Sequence, residues 1–335
     1  MKLPAGKIPP EILTRVVFKC LGARRREVVV GPSHGVDGAV IEAGGKAVVT
    51  SMDPITGALE RIGWLAVNIN ANDVATFGVQ PAFFSSCLLL PENATEETVE
   101  TICKQIDAGA NALGVAVVGG HSETTPNLPF PIVVGCCMGI AEKKAYTTAA
   151  GAKPGDEIIL TKTAGIEGTA ILASDRSALL EETLGRRKVA KAREFFERIS
   201  VVKEAMLAFQ TGHVTAMHDP TEGGVAGGIH ELADASKLGC KVYEEKIRIA
   251  EETLAICGIF GIDPLQLIAS GSLLVAAEKG TATEIVRVLE ENGIDAAVVG
   301  ELLPSLEKRI MVRESGQTEK LARPLSDHLW RALEK

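Results

Sequence analysis

The sequence predicts a two-domain α/β (α+β) protein, and three features predict it. The chain has 335 residues, more than one hydrophobic core usually organises and enough for two domains of about 150 residues each. Short β-branched runs alternate with longer segments whose apolar residues recur at helical spacing. Near the midpoint the turn cluster Gly151-Ala152-Lys153-Pro154-Gly155-Asp156 interrupts the pattern, which sets the expected domains at 1–150 and 151–335. The 34 glycines and 15 prolines are scattered between apolar runs, so collagen-like, disordered and low-complexity readings fall away.

The first half reads in order as follows. Pro10 to Leu21 is helix-like. Val28 to Val30, Gly38 to Ile41 and Ala47 to Ser51 are short, β-branched and bounded by Gly, Pro or Asp, the pattern of strands. From Ile55 to about Val74 the apolar residues fall at helical steps, while Asn68, Asn70, Asn72 and Asp73 crowd the last turns and need partners. Phe83 to Leu90 is a strand. Thr95 to Leu113 is a helix with Thr95 as its N-cap and Glu96 and Glu97 in its first turn, where acidic groups complement the dipole. Val115 to Val118 is a strand that should turn at Gly119-Gly120, and Pro131 to Ile140 is an apolar run.

In the second half Glu157 to Thr161 is a strand and Gly168 to Ser174 a glycine-punctuated helix. Arg187 to Gln210 reads as one long amphipathic helix, with Val189, Ala192, Phe196, Ile199, Val202, Met206 and Phe209 on one stripe. Val225 to Ala235 is a further helix. Leu273 to Ala276, Thr283 to Glu291, Ala296 to Val299 and Arg309 to Val312 complete the order as strand, helix, strand, strand.

Composition narrows the function classes. Thirty-five basic against 43 acidic residues leave a net charge of -8 with no dense Lys/Arg stripe, so nucleic-acid binding is disfavoured. The N-terminus lacks a signal-peptide apolar region and no apolar run reaches the roughly 18 residues that span a bilayer, so a cytoplasmic protein without membrane attachment is expected. The seven cysteines form no C-x-x-C pair, and strand alternation points Cys136 and Cys137 to opposite faces; reduced core thiols are expected.

The chemistry-bearing feature is a set of isolated carboxylates beside small residues: Asp37, Asp53, Asp73 and Asp219. One such aspartate is commonly a turn former or an Asx cap. Four that converged would repel one another unless a cation neutralised them, and oxygen ligands without a Cys or His cluster suit Mg²⁺. Gly119-Gly120-His121-Ser122-Glu123 follows a strand, where paired glycines let backbone N–H groups approach an anion. Neither a Walker loop nor G-x-G-x-x-G is present, so a P-loop or Rossmann site is unsupported. His121 is open to three roles: a phosphate donor, a general base or a structural hydrogen bonder.

Taken in order, Asp37 in Gly-x-Asp-x-Ala, Ser51-x-Asp53, Asn72-Asp73-x-Ala75, Gly119-Gly120-His121-Ser122, Asp219-Pro220-Thr221-x-Gly223-Gly224, Ser270-Gly271 and Gly300-Glu301 resemble the successive motifs of the aminoimidazole ribonucleotide synthetase (PurM-like) superfamily. The resemblance runs from about residue 5 to 315. Among its members the chain looks most like hydrogenase maturation protein HypE, through the spacing of Asn72-Asp73-Val74-Ala75 to Gly78-Val79-Gln80-Pro81 and through Asp219-Pro220-Thr221-Glu222-Gly223-Gly224.

The resemblance implies an N-terminal ATP- and Mg²⁺-binding domain whose strands form a β-barrel across a homodimer with helices outside, and a C-terminal α/β domain. It implies ATP bound at the cleft, phosphorylating a carbonyl or carboxamide oxygen or a small metabolite. Asp37, Asp53, Asp73 and Asp219 match metal-binding positions; Asn72, Gly119, Gly120 and His121 match nucleotide-contacting ones, with Glu123 and Thr221 completing that set. Lys7 and His121 are the candidate catalytic residues, Lys7 by closing over the phosphates from the N-terminal arm. Such transfer needs in-line positioning and charge neutralisation, with no covalent nucleophile.

HypE carries its thiocarboxamide on a C-terminal cysteine, whereas the last cysteine here is Cys257, so a different acceptor is expected. A small-molecule kinase similar to thiamine-monophosphate kinase is the alternative, and a non-catalytic nucleotide-binding partner of a maturation protein is a third reading. A pure scaffold could replace buried carboxylates by apolar residues at little cost, which argues against the third. Apolar residues on both alternations of Val28-Val29-Val30 and Ala47-Val48-Val49 want cover on both sheet faces, from helices or from a second copy.

Overall fold

The computed structural model describes residue 3 and residues 6–57 and 59–334. The stretch read above for a signal peptide includes residues 1, 2, 4 and 5, which lie outside the described residues, as does residue 58 in the segment read as a helix from Ile55. The chain divides into two compact units, one of residues 27–31 and 38–146, the other of residues 1–26, 32–37 and 147–335.

The second of these opens with α1 (Pro10–Arg15), a short helix with proline at its start. The smaller unit then contains β1 (Val28–Val30), β2 (Ala39–Ala43), β3 (Lys46–Ile55), α2 (Ile62–Ala75), β4 (Pro81–Leu90), α3 (Glu96–Leu113), β5 (Ala116–Thr124) and β6 (Ile132–Glu142). Its six strands are ordered β1-β2-β3-β6-β4-β5. Period-two burial is plain in the centre: Ala47, Val49 and Ser51 of β3, Phe84, Ser86 and Leu88 of β4, and Val133, Gly135 and Cys137 of β6 all face inward. Burial pushes the Cys137 thiol up to about 12, so it is an inert core group. Helix α2 packs on this face against β3 and β6 and is buried almost throughout, which explains why it lacks a polar side. Helix α3 starts as its sequence predicts, with the Thr95 hydroxyl accepting from the Thr98 amide.

The expected barrel is not there. The sheet is open, with β1 at one edge and β5 at the other, and no sheet among the described residues closes on itself. Closure needs the two edge strands to pair; β5 has only β4 as a neighbour, in parallel, and all nine of its residues are exposed. The turn expected at Gly119-Gly120 is also absent. Strand β5 runs through both glycines to Thr124, with a register shift just before Gly119. Gly120 is there for closeness to β4, since a Cβ on it would lie 2.1 Å from the Ser86 carbonyl oxygen.

The larger unit continues with β7 (Glu157–Thr161), α4 (Ile166–Asp175), α5 (Ser177–Leu184), α6 (Arg186–Arg193), α7 (Val202–Gln210), β8 (Val214–His218), α8 (Gly224–Ala235), β9 (Gly239–Tyr243), α9 (Glu251–Phe260), β10 (Leu274–Ala277), α10 (Ala282–Glu291), β11 (Ala296–Leu303), β12 (Arg309–Val312), β13 (Thr318–Lys320) and α11 (His328–Leu333). Its seven strands are ordered β13-β12-β9-β11-β7-β10-β8, antiparallel except for β9 with β12. Ile158, Leu160, Leu274, Ala276 and Val299 from the sheet meet Val225, Ile229 and Leu232 from α8 in one apolar core.

The long helix expected over residues 187–210 is broken into α6, a 3-10 segment (Glu194–Arg198) and α7. Lys162 is the physical cause. Its ammonium donates to the carbonyls of Arg198 at 2.9 Å and Ser200 at 2.7 Å, which a continuous helix would use for its own ladder, and pairs with the buried Glu204 at 2.6 Å.

Candidate functional site

In the smaller unit, Asp53 and Asp73 are placed by strand β3 and helix α2. Asp53 lies opposite Gly135 in the β3–β6 register and is half-buried. Its amide donates to the Asn70 side-chain oxygen at 2.8 Å, and the Asn70 amide donates to the Asp53 carbonyl at 3.2 Å and to the Ala66 carbonyl at 2.9 Å. Asn70 thus binds both backbone polar groups of Asp53. The space for it comes from Gly135, where a Cβ would meet the Asn70 amide nitrogen at 2.4 Å. Asp73 is buried and accepts from the Ser51 hydroxyl at 2.6 Å, while its carbonyl accepts from the Thr76 hydroxyl at 2.7 Å. Asn72 is fully buried in the same helix. Asn70 and Asp73 are therefore ties from α2 to β3, whereas the Asn68 amide donates to the Trp64 carbonyl of its own helix at 2.9 Å.

On β5 the side chains of His121 and Glu123 project from the same side, with the ring Nε2 and the carboxylate 3.1 Å apart and both exposed. The Thr125 hydroxyl also donates to Glu123 at 3.1 Å. The hydrogen bond to His121, then that from Thr125, holds the Glu123 carboxyl below its usual range. Around the Cα of Gly119 there is open space.

The larger unit brings Asp37 and Asp219 together. Asp219 follows the last residue of β8, and Asp37 ends the segment 32–37. Asp37, His218 and Asp219 offer ligand atoms that lie within 4.8 Å of one another. His218, buried, places Nδ1 2.8 Å from Asp37 Oδ2 and Nε2 2.9 Å from Glu231 Oε2. Burial opposes a charged imidazole, but Asp37 and then Glu231 outweigh it and raise His218 to about 10. Burial likewise opposes the Glu231 carboxylate, yet Lys7 and His218 pull it down to about 2. Each ring nitrogen of His218 faces a carboxylate, Asp37 at Nδ1 and Glu231 at Nε2. The oxygen donors of Asp37 and Asp219 fit a hard cation such as Mg²⁺.

The turn after Asp219 is built for close approach. The Thr221 carbonyl accepts from the Gly224 amide at 3.0 Å, Gly223 and Gly224 take left-handed φ of 86° and 63°, and a Cβ on Gly224 would meet the Leu267 carbonyl oxygen at 2.5 Å. The Gly223 amide at the start of α8 is capped by Asp327 Oδ2 at 2.6 Å. Lys7 stands in the same region: its amide donates to Glu222 at 2.7 Å and its ammonium lies 3.5 Å from Glu231. Below the turn Glu167, in the first turn of α4, is buried. Desolvation raises its carboxyl to about 7, the Ser270 hydroxyl lowers it, and Asp327 and Glu222 add to the rise.

Sequence reasoning singled out Asp37 and Asp219 but missed His218, Glu231 and Glu167. For His218 a signal was present, a histidine beside a candidate metal ligand; Glu231, within the segment read as a helix, and Glu167, just before another, carry none. No helix among the described residues is long and apolar enough to cross a membrane.

Residues 35–141 match the AIR synthase related protein N-terminal domain, and residues 153–313 match the C-terminal domain of the same proteins. A Methanocaldococcus jannaschii protein named for hydrogenase expression and formation is 31% identical over 302 residues, which cover 88% of this chain and 88% of that protein. Among solved structures, one from a HypE–HypF complex matches with a TM-score of 0.77 at 22% identity, over 93% of this chain and 99% of that one. Another, of HypE in complex with ATP, matches with a TM-score of 0.73 at 21% identity over 98% of each chain. At these identities the two structures speak for the fold.

Proposed function

The chain belongs to the AIR synthase related family, and from that premise we propose that it is a HypE-like, ATP- and Mg²⁺-dependent enzyme that activates a carbonyl or carboxamide oxygen by phosphorylation. The observation that carries the reading is the approach of Asp37 and Asp219, two carboxylates 182 positions apart in the sequence, brought within ligating distance of one another in the larger unit. Carboxylates this close repel, and a divalent cation bound to nucleotide phosphates relieves that repulsion. When bound, Mg²⁺ would neutralise charge on the phosphate oxygens.

In the smaller unit Asp53 and Asp73 are the further proposed metal ligands, and Asn72, Gly119, Gly120, His121 and Glu123 the proposed nucleotide contacts, with Thr221 in the larger unit. ATP bound to a HypE of the same fold supports the cofactor. Lys7 is held by Glu222 and Glu231, so its proposed part is to order the carboxylate cluster from the N-terminal arm. The protein partner in the HypE–HypF complex supports a maturation protein as partner here. The exposed edge strand β5, with Val117 and Val118 uncovered, supports homodimeric assembly.

The test is nucleotide binding by calorimetry with and without Mg²⁺, followed by product analysis with carboxamide and phosphorylated small-molecule acceptors. Mg²⁺-dependent ATP binding that weakens at least about tenfold in Asp37→Asn and Asp53→Asn is expected. ADP with free phosphate marks the activating, dehydrating route, and ADP with a stable phosphorylated product marks a kinase. Equal ATP affinity with and without the metal in all three proteins would refute the reading.

A further inference from the structure

We propose that His218 and Glu231 are positioning residues for the Asp37 carboxylate, forming with Lys7 a relay of side-chain contacts that ties the N-terminal arm to a metal ligand. The inference rests on the reading of Asp37 as a ligand, and deepens it.

Four groups from four separate stretches of chain make the relay. Lys7 lies in the N-terminal arm, Glu231 on α8, His218 at the end of β8 and Asp37 at the end of the segment 32–37. The contacts run Lys7 Nζ to Glu231 Oε1 at 3.5 Å, Glu231 Oε2 to His218 Nε2 at 2.9 Å, and His218 Nδ1 to Asp37 Oδ2 at 2.8 Å. The imidazole is 1% exposed, so neither contact is shared with bulk water.

The geometry does two things to Asp37. First, one carboxylate oxygen is held by His218, which restrains the rotation of the group. A carboxylate aimed in this way loses less freedom on ligation than one that swings, the usual role of a partner behind a metal ligand. Second, Glu231 fixes the ring from its far side, so that the imidazole itself cannot rotate away. The backbone confirms that the parts are meant to touch: a Cβ on Gly35 would lie 2.4 Å from the Glu231 carbonyl oxygen, so the segment carrying Asp37 runs against this turn of α8 as closely as glycine allows.

The relay is tested on the full-length chain with Mg²⁺ as the titrant and a fluorescent ATP analogue at fixed concentration as the reporter, in wild type, Asp37→Asn, His218→Gln, Glu231→Gln and Lys7→Gln. In Glu231→Gln and His218→Gln the Mg²⁺ concentration at half-saturation should rise by about tenfold, with a smaller rise in Lys7→Gln, while analogue affinity at saturating Mg²⁺ stays within about twofold. A role confined to folding would lower the thermal midpoint and leave the Mg²⁺ midpoint of the folded fraction in place. Glu231 is a quarter exposed, so its glutamine variant carries the test if His218→Gln does not fold. A readout free of metal accompanies it: the ring nitrogen resonances of His218, of which Glu231→Gln should shift the Nε2 signal.

If Asp37→Asn moves the Mg²⁺ midpoint and neither Glu231→Gln nor His218→Gln does, the positioning role is refuted and the metal reading stands. If Asp37→Asn leaves the midpoint in place, Asp37 is no ligand and both fall.

Discussion

Asn70 grips the backbone of Asp53 from both sides, accepting from its amide and donating to its carbonyl, while the third bond of the same side chain returns to Ala66 in its own helix. A strand residue and a helix residue are thereby locked in one register, and the Asp53 side chain is aimed by its main chain. Asn70→Ala removes all three bonds and leaves a fully buried void, which should destabilise the protein by about 2–4 kcal/mol. Urea unfolding measures the loss. A cost below about 1 kcal/mol would mean that Asp53 is held by the β3–β6 ladder alone.

The glycine pair of β5 separates structure from ligand binding. At Gly120 an added methyl meets the Ser86 carbonyl oxygen at 2.1 Å, whereas at Gly119 it meets nothing within 4 Å. Gly120→Ala should therefore cost about 2–3 kcal/mol through displacement of β5 from β4. Gly119→Ala meets no atoms, but its φ of 159° is a setting that side-chain-bearing residues rarely adopt, so it should cost about 1–2 kcal/mol, less than Gly120→Ala, and weaken ATP binding if the Gly119 backbone faces the nucleotide. Paired melting and ATP titration read both, and equal destabilisation by the two changes would count against the steric distinction.

Lys162 is buried beneath the break between α6 and α7, and its removal leaves Glu204 without its cation and two carbonyls without their donor. Lys162→Ala should cost about 3–5 kcal/mol, the range for a buried pair broken on one side. The double replacement Lys162→Met with Glu204→Leu should recover more than half of that, because no orphan charge remains. Guanidinium unfolding of the three proteins decides it, and no recovery in the double variant would place the cost in the lost carbonyl contacts.

Period and capping made much of the fold legible. The alternation of Ala47, Val49 and Ser51, the Thr95 cap and the apolar spacing of α8 are local signals, and each corresponds to a structural element. Open-sheet topology was not legible, because whether β5 finds a second neighbour is decided by contacts that the strand's own residues do not encode. Gly119-Gly120 misled for a chemical reason: glycine marks both turns and close strand approach, and only the distance to Ser86 tells them apart. The stripe from Val189 to Phe209 was continuous in sequence, yet Lys162 takes two of its carbonyls from outside. In the site, isolated aspartates stood out by their small neighbours. The partners that hold them were hidden, since the His218 bridge joins groups 181 and 13 positions apart.

Glu167 makes the last prediction, a dependence on pH. Its folded carboxyl stands at about 7 against an ordinary 4.5, so the folded state holds a proton that the unfolded state has already released. A raised acid favours the folded state while it stays protonated, and the advantage fades as pH rises from about 4.5 through 7. Glu167→Gln keeps the shape and removes the titration. The variant should match wild type in stability near pH 4.5 and exceed it at pH 8 by up to about 3 kcal/mol, the linkage value of the shift. Asp327, raised by its burial to about 6, titrates in the same direction in both proteins. Thermal midpoints across pH 4.5–8 supply the measurement. A variant that is less stable than wild type at pH 8 would show instead that the charged Glu167 is a stabilising partner.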